Sequence, residues 1–185
     1  MTKAINPVYQ SNSLVVAPDF NCSATIQPAF ENIYALFQCQ SSFRFQLSFL
    51  LQRVDAIVLF FYGKDFTSVS DNDLLSISAN MERFKKYNTL PLAISIDSEE
   101  SHQSYLNHFM DKYQELLPFP LLSDPTRSII RHFNVLDFKT GFANRAVFII
   151  DRKRQIEFSF VLGDDRILHS MNTIITMLQM NIATT

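Results

Sequence analysis

The chain has 185 residues, a length that suits one domain and is too short for two ordinary ones. Hydrophobic residues make up 47% of it and charged residues 18%, so we expect a folded core rather than a disordered chain. The net charge of −2, with no cluster of basic residues, excludes the usual footprint of a nucleic-acid-binding protein. We therefore treat 1–185 as one domain, in which residues 1–13 form a loose N-terminal segment.

Cellular location and cofactors are also constrained by the composition. The longest apolar run, residues 56–62, is far shorter than the roughly 20 residues of a membrane-spanning helix, and residues 1–19 lack the apolar stretch of a secretory signal. Two cysteines, Cys22 and Cys39, are too few for a disulfide framework, and the histidines do not have metal-ligand spacing. We expect a cytoplasmic protein that binds no membrane, metal or cofactor.

The middle of the chain alternates between apolar runs and helical patterns. Residues 56–62 and 90–96 are continuous apolar runs, which predict buried strands of a parallel sheet. One helix is predicted between them from four apolar residues at helical spacing, which are Leu74, Ile77, Met81 and Phe84. A second helix is predicted over 99–116. Asp124 and Pro125 predict the start of a third helix, with Asp124 as its N-cap and Pro125 at its first position.

The last third of the sequence predicts a hairpin and a helix. Residues 146–150 are a third apolar strand, and residues 155–161 alternate as an antiparallel edge strand does. The alternation places three side chains on one face, which are those of Ile156, Phe158 and Phe160. A final helix is predicted over 167–182. Strands that alternate with helices predict an α/β layered domain, and a thioredoxin-like architecture fits this order.

Residues 57–73, IVLFFYGKDFTSVSDND, resemble the active-site segment of peroxiredoxins of the alkyl hydroperoxide reductase C/thiol-specific antioxidant family, which typically reads FFYPxDFTFVCPTE. Four more segments resemble that family in the same order, namely APDF at 17–20, ISIDSEESHQSYLN with His102 at 94–107, PLLSDPTRSIIRHFNV at 120–135 and GFANRAVFIID at 141–151. The resemblance covers roughly residues 14–180. It implies a three-layer thioredoxin-like fold, in which helices flank a central mixed sheet.

The resemblance also implies site residues. In that family a cysteine at a helix N-terminus attacks the peroxide and becomes a sulfenic acid, while a threonine and an arginine hold the peroxide oxygens. A second cysteine then forms a disulfide with the first. The resemblance places Thr67 at the threonine position, Arg145 at the arginine position and Asp73 at the position of a glutamate. Ser70 stands where the family has its peroxide-reducing cysteine.

Other positions of the motif differ as well. Gly63 and Asp71 replace prolines, and Ser68 replaces a phenylalanine. We expect Asp71 to disfavour an anion, because it adds negative charge beside Ser70. His169 falls near the position of a second family arginine, and no counterpart of the Val-Cys-Pro resolving segment follows the last predicted helix.

Serine has no counterpart to the oxidation ladder of cysteine, so we expect no peroxidase activity and a role as a binding or regulatory module. Locally, Ser70 to Asp73 fits an S-x-x-D capping box in which Ser70 caps the helix. A laboratory Cys→Ser change and a hydrolytic nucleophile are further interpretations of Ser70. Arg145 either keeps an oxyanion pocket with Thr67 or forms an ion pair with Asp73 or Asp71.

Two other functions stay open. One is a thiol-dependent peroxidase that uses a relocated cysteine, Cys39 or Cys22, and the other is a holdase-like chaperone. For partners, the alternating edge strand 155–161 predicts a homodimer, because exposed strand edges are usually covered. A monomer whose edge is protected by the charges at 152–154 is the alternative. An active peroxiredoxin relative is a further candidate partner.

Overall fold

The computed structural model describes residues 15–27, 44–161 and 167–182. Within these residues the chain forms strands and helices in the order expected of an α/β domain. The strands are β1 (Asn21–Thr25), β2 (Arg44–Gln46), β3 (Ala56–Phe61), β4 (Thr89–Ser95), β5 (Leu121–Ser123), β6 (Ala146–Asp151) and β7 (Ile156–Val161). The helices are α1 (Leu47–Leu50), α2 (Ser68–Ser78), α3 (Met81–Lys86), α4 (Glu99–Tyr113), α5 (Ser128–His132) and α6 (Ile167–Ile182).

The strands form one mixed sheet in the order β2-β1-β5-β4-β3-β6-β7. The central strands β3, β4 and β5 are parallel, whereas β1, β2, β6 and β7 pair with antiparallel neighbours. The two apolar runs predicted as buried strands are β3 and β4, and every residue of both is buried. Strands that are apolar throughout are typical of a sheet covered on both faces.

Helices cover both faces of the sheet. Alternate residues of β3 enter two different cores, with Leu59 on one face and Phe60 on the other. Helices α1 and α5 pack on the Leu59 face and form what we call the α1/α5 core. Helices α2, α3, α4 and α6 pack on the Phe60 face and form the α2/α4 core. This arrangement confirms the predicted three-layer thioredoxin-like fold.

The single helix predicted through Leu74 and Phe84 is wrong, because the structure has two helices there. Helix α2 ends at Ser78, and α3 begins at Met81 after a break at Asn80. The Asn80 side-chain amide donates to the Ser76 carbonyl oxygen at 2.8 Å, which satisfies one of the groups left open at the end of a helix. The apolar spacing crosses the break because both helices pack on the α2/α4 core.

Two helix boundaries also differ from prediction. Helix α5 begins at Ser128 rather than at Pro125, but the Asp124 carboxylate still accepts backbone N–H groups of the helix, from Ser128 and Ile130 at 2.9 Å each. Asp124 therefore caps the helix from further upstream than expected. Helix α4 ends at Tyr113 rather than at residue 116, because Gln114 has a left-handed backbone with φ of 55°.

The alternation of β7 predicted that its three apolar residues share one face, and that prediction is wrong. The register with β6 shifts between Ile149 and Ile150, which is a β-bulge. As a result Ile156 packs against the α1/α5 core, whereas Phe158 and Phe160 pack against the α2/α4 core.

The edge of the sheet at β7 is partly covered by the covering segment, residues 15–17. The Ala17 N–H donates to the Arg154 carbonyl oxygen at 2.6 Å, and the Ile156 N–H donates to the Val15 carbonyl oxygen at 2.8 Å. The isolated bridge between Val16 and Gln155 belongs to the same pairing. Within the described residues, the covering segment thus pairs with β7 and the turn before it at residues 154–156.

Candidate functional site

The candidate site lies where β3 ends and α2 begins. The chain leaves the buried strand at Tyr62 and turns through Phe66, which has a left-handed backbone with φ of 56°. Thr67 is the N-cap of α2, with extended backbone angles, and its hydroxyl oxygen accepts from the Ser70 N–H at 3.1 Å. The predicted capping box is therefore wrong, because Thr67 and not Ser70 caps the helix.

Ser70 is the third residue of α2 and is buried. Its hydroxyl donates to the Lys64 carbonyl oxygen at 2.7 Å and accepts from the Thr67 hydroxyl at 2.8 Å. The two predicted site residues therefore lie together, joined in a short chain of hydroxyl groups that ends on the backbone. Among the described residues, neither a histidine nor a carboxylate bonds to the Ser70 hydroxyl, so no general base is in place to activate it as a nucleophile.

Asp73 and Arg145 form a bidentate ion pair between α2 and the start of β6. The Arg145 Nε and Nη2 atoms each donate to one Asp73 carboxylate oxygen, at 2.7 Å in both cases. Burial raises the pKa of Asp73, and the Arg145 charge opposes that rise. Of the two interpretations of Arg145, the ion pair with Asp73 is the one that the structure contains.

Asp71 points away from Ser70 and into a set of donors on α4. Its carboxylate accepts from the Tyr105 and Tyr113 hydroxyls at 2.6 Å each and from the Lys112 ammonium at 2.9 Å. Burial alone would raise the pKa of Asp71, but these three hydrogen bonds hold it below its ordinary value. The negative charge that we expect beside Ser70 is therefore present, and donors on α4 compensate it. The sequence placed both tyrosines on one helix face but did not link that face to Asp71.

A second buried polar network holds the loop before Thr67. The Asp65 carboxylate accepts from the Tyr62 hydroxyl at 2.8 Å and from the Ser101 hydroxyl at 2.9 Å, and it lies 3.0 Å from His102 Nδ1. The other ring nitrogen of His102 lies 3.2 Å from the Leu122 carbonyl oxygen. The network ties the loop to α4 and β5. From the sequence, His102 was only a landmark of the resemblance, and Asp65 had no assigned role.

Of the two predicted thiols, the structure describes Cys22, which does not lie beside Ser70. Cys22 is on β1 and packs against the α1/α5 core, on the opposite face of the sheet from α2. Burial, and to a smaller degree Asp124, raises the pKa of the Cys22 thiol, which disfavours the reactive thiolate. Cys39 and the side chain of His169 lie outside the described residues.

The described part of the chain contains neither a metal-binding cluster nor a membrane-spanning helix. Within it, no three histidine, cysteine, aspartate or glutamate side chains are grouped so that they could hold a metal ion. No described helix is both long and apolar enough to cross a membrane. The candidate site consists of the Thr67 and Ser70 hydroxyl groups, the buried Asp73 carboxylate and the Arg145 guanidinium group.

Comparisons with known proteins agree with this geometry. The model of the AhpC/TSA family matches residues 17–159. Peroxiredoxin-2 of Cricetulus griseus is 34% identical over 139 residues, which cover 74% of this chain and 63% of the relative. The chloroplastic 2-Cys peroxiredoxin BAS1 of Hordeum vulgare is 35% identical over 147 residues, which cover 78% of this chain and 63% of the relative. The match thus spans less than two thirds of these relatives' length.

Solved structures show the same fold. Thioredoxin peroxidase I of Plasmodium yoelii superposes with a TM-score of 0.73 at 22% identity, covering 90% of this chain and 88% of the other. AhpC of Mycobacterium tuberculosis gives a TM-score of 0.73 at 24% identity, covering 90% of both chains. At such identities the likeness concerns the fold alone, whereas the family match covers most of the chain. The chain belongs to the AhpC/TSA family of peroxiredoxins.

Proposed function

We propose that this chain is a peroxiredoxin-family protein without peroxidase activity, which acts as a binding or regulatory module. The observation that carries the proposal is the buried Ser70 hydroxyl, which occupies the first turn of α2 and donates to the Lys64 carbonyl oxygen. Peroxide reduction requires a sulfur atom that is oxidised and then restored, and a serine oxygen has no such cycle.

The ion pair of Arg145 supports the same proposal. Two of the five N–H donors of the guanidinium group are used by Asp73, in the geometry that arginine prefers for a carboxylate. The Asp73 carboxylate also offsets the guanidinium charge that would otherwise attract an oxyanion to the site. The Thr67 hydroxyl donates to Ser70. The groups that the resemblance assigns to peroxide thus serve internal contacts.

We infer that the module binds protein partners through β7, the edge strand of the described sheet. In the described part of the chain, no other strand pairs with residues 157–161 on the side away from β6, and a strand edge with unpaired backbone groups is a template for another strand. A second copy of this chain is the first candidate, and an active peroxiredoxin relative is the second. The cytoplasmic location stays a prediction.

Peroxide consumption by the full chain tests the loss of activity. We expect hydrogen peroxide mixed with dithiothreitol and the protein to disappear no faster than without the protein. The competing function, a relocated thiol, predicts turnover that depends on Cys39 or Cys22. Turnover that vanishes in Cys39→Ser or in Cys22→Ser would overturn the proposal.

The variant Ser70→Cys tests whether restoring the sulfur atom restores peroxidase activity. We expect activity on the order of 100-fold below that of an active relative, the loss typical of removing one positioned donor from an oxyanion site. The reasons are that the new sulfur would face the Lys64 carbonyl oxygen, which disfavours a thiolate, and that Asp73 neutralises Arg145. Activity equal to that of the relative would show that only the sulfur atom had been lost.

A further inference from the structure

A groove between α3 and α6 has no role in the family site. The groove is open to solvent and has a volume of about 300 Å³, at the lower end of the volumes typical of ligand pockets. Its polar lining comes from both helices, through the side chains of Arg83, Lys86, Asn172, Thr176 and Gln179. Its apolar lining is the ring of Tyr87 and the buried side chain of Ile175.

The groove carries positive charge that no carboxylate of the described residues balances. Arg83 Nη1 donates to the side-chain oxygens of Asn80 at 2.9 Å and Asn172 at 3.0 Å, and both acceptors are neutral. The Lys86 ammonium lies 5.8 Å from the centre of the Tyr87 ring. Within the described residues neither cation forms an ion pair, and no aspartate or glutamate lines the groove.

Lys85 lies between these cations in the sequence and behaves differently. Its ammonium pairs with Glu82 at 2.6 Å, and its side chain does not line the groove. Cations near a helix C-terminus are favourable in general, which accounts for basic residues at the end of α3. That effect does not explain why Arg83 reaches across to Asn172 on α6. The bond to Asn172 fixes the guanidinium group at the groove before any ligand arrives, which lowers the entropic cost of binding.

We propose that this groove binds a small organic oxyanion, a carboxylate or a phosphate ester, whose apolar or aromatic part packs on Tyr87 and Ile175. Arg83 and Lys86 supply the charge that the oxyanion requires, and arginine forms directed hydrogen bonds to both kinds of oxyanion. Thr176 and Gln179 supply neutral polar groups on the opposite wall. The site uses no atom of Thr67, Ser70 or Arg145, so it does not depend on the function proposed above.

Titrations of the ¹⁵N-labelled full chain followed by NMR test this site. The probes are benzoate, phenyl phosphate and inorganic phosphate, which separate the carboxylate from the phosphate and the ring from the bare anion. We expect saturable shifts of the backbone amides of residues 83–87 and 172–179 with the two ring-bearing probes, and binding about tenfold weaker for inorganic phosphate. Absence of saturable shifts with both ring-bearing probes would overturn the proposal.

Matched variants establish which charges bind. Arg83→Gln and Lys86→Gln should each weaken binding of the better probe about tenfold, the effect of losing one charged hydrogen bond. Lys85→Gln removes the same charge from a neighbouring residue outside the groove and should leave the affinity within about twofold. Since Arg83 bridges two helices, the thermal midpoint of unfolding is measured for each variant. If Arg83→Gln is unfolded, the affinity of Lys86→Gln alone tests the site. Equal weakening by Lys85→Gln and Lys86→Gln would show unspecific attraction and contradict the site.

Discussion

Three polar side chains near the start of α2 contact three different parts of the molecule. Ser70 bonds back to the loop that precedes the helix, Asp71 to the tyrosines of α4 and Asp73 to Arg145 beside β6. The first two turns of α2 are therefore held from three directions. Each contact is buried or partly buried, so removing one partner leaves a polar group without the water that would otherwise solvate it.

The carboxylate of Asp71 should make stability depend on pH. Its pKa in the folded protein is lower than the ordinary value of 3.8, so the ionised form is favoured by folding. This contribution is fully present above about pH 4, the unfolded pKa, and is lost as the pH falls through the lower folded pKa. We expect Asp71→Asn to lower the free energy of unfolding by about 2 kcal/mol at pH 7, and by less at pH 3.

Urea denaturation at the two pH values measures this difference. Asp111→Asn is the matched control, because it removes the same charge from an exposed position on α4. The control should change the free energy of unfolding by no more than about 0.5 kcal/mol. A difference between wild type and Asp71→Asn that is the same at pH 3 and pH 7 would show that the hydrogen-bond geometry matters and the charge does not.

At the scale of residues, the sequence predicted which side chains meet only where helix geometry or a family pattern linked them. Thr67 and Ser70 are three apart along the chain, so their meeting follows from helix geometry. Arg145 and Asp73 are far apart, and only the resemblance brought them together. The partners of Asp71 were missed, because the family has proline there and no local pattern links that position to Tyr105 or Tyr113.

At the scale of elements, the Asp73–Arg145 ion pair fastens α2 to β6. Arg145→Met should lower the free energy of unfolding by about 3–5 kcal/mol, because it leaves the buried Asp73 carboxylate without its countercharge. The double variant Arg145→Met with Asp73→Leu should be more stable than Arg145→Met alone, since the buried charge is removed with its partner. Chemical denaturation of both variants measures the difference. A double variant less stable than Arg145→Met would mean that apolar groups do not fit this site.

Element boundaries were less predictable than element types. The apolar spacing did not reveal the break between α2 and α3, because both helices present apolar residues to the same core. The bulge in β7 could not be predicted either, because it depends on how β6 pairs with it, and alternation within one strand contains no information about its neighbour. The three buried strands were predicted because an apolar run of that length has few other stable placements.

At the scale of the whole molecule, pairing through residues 157–161 predicts a dimer in solution. Ser159 lies in the middle of this open edge, and Ser159→Pro removes a backbone N–H and restricts the strand. Sedimentation at micromolar concentration should give twice the chain mass of 21.4 kDa for wild type and the single mass for Ser159→Pro. The control Ser159→Ala keeps the backbone donor and should stay dimeric.

The fold of the variant is checked by circular dichroism, because proline could also disturb pairing with β6. A folded Ser159→Pro protein that remains dimeric would place the interface elsewhere. A monomeric wild type would favour the alternative in which the charges at 152–154 protect the edge.

The covering segment also affects the order in which the protein can fold during its synthesis. Residues 15–17 leave the ribosome well before the backbone groups that they pair with, at Arg154 and Ile156, have been synthesised. Such long-range pairing forms late and slowly. During synthesis the early segment has no strand to join, and β7 emerges with its whole edge open. Until the covering segment has paired with residues 154–156, nascent chains on neighbouring ribosomes can meet at a part of the edge that the folded protein covers.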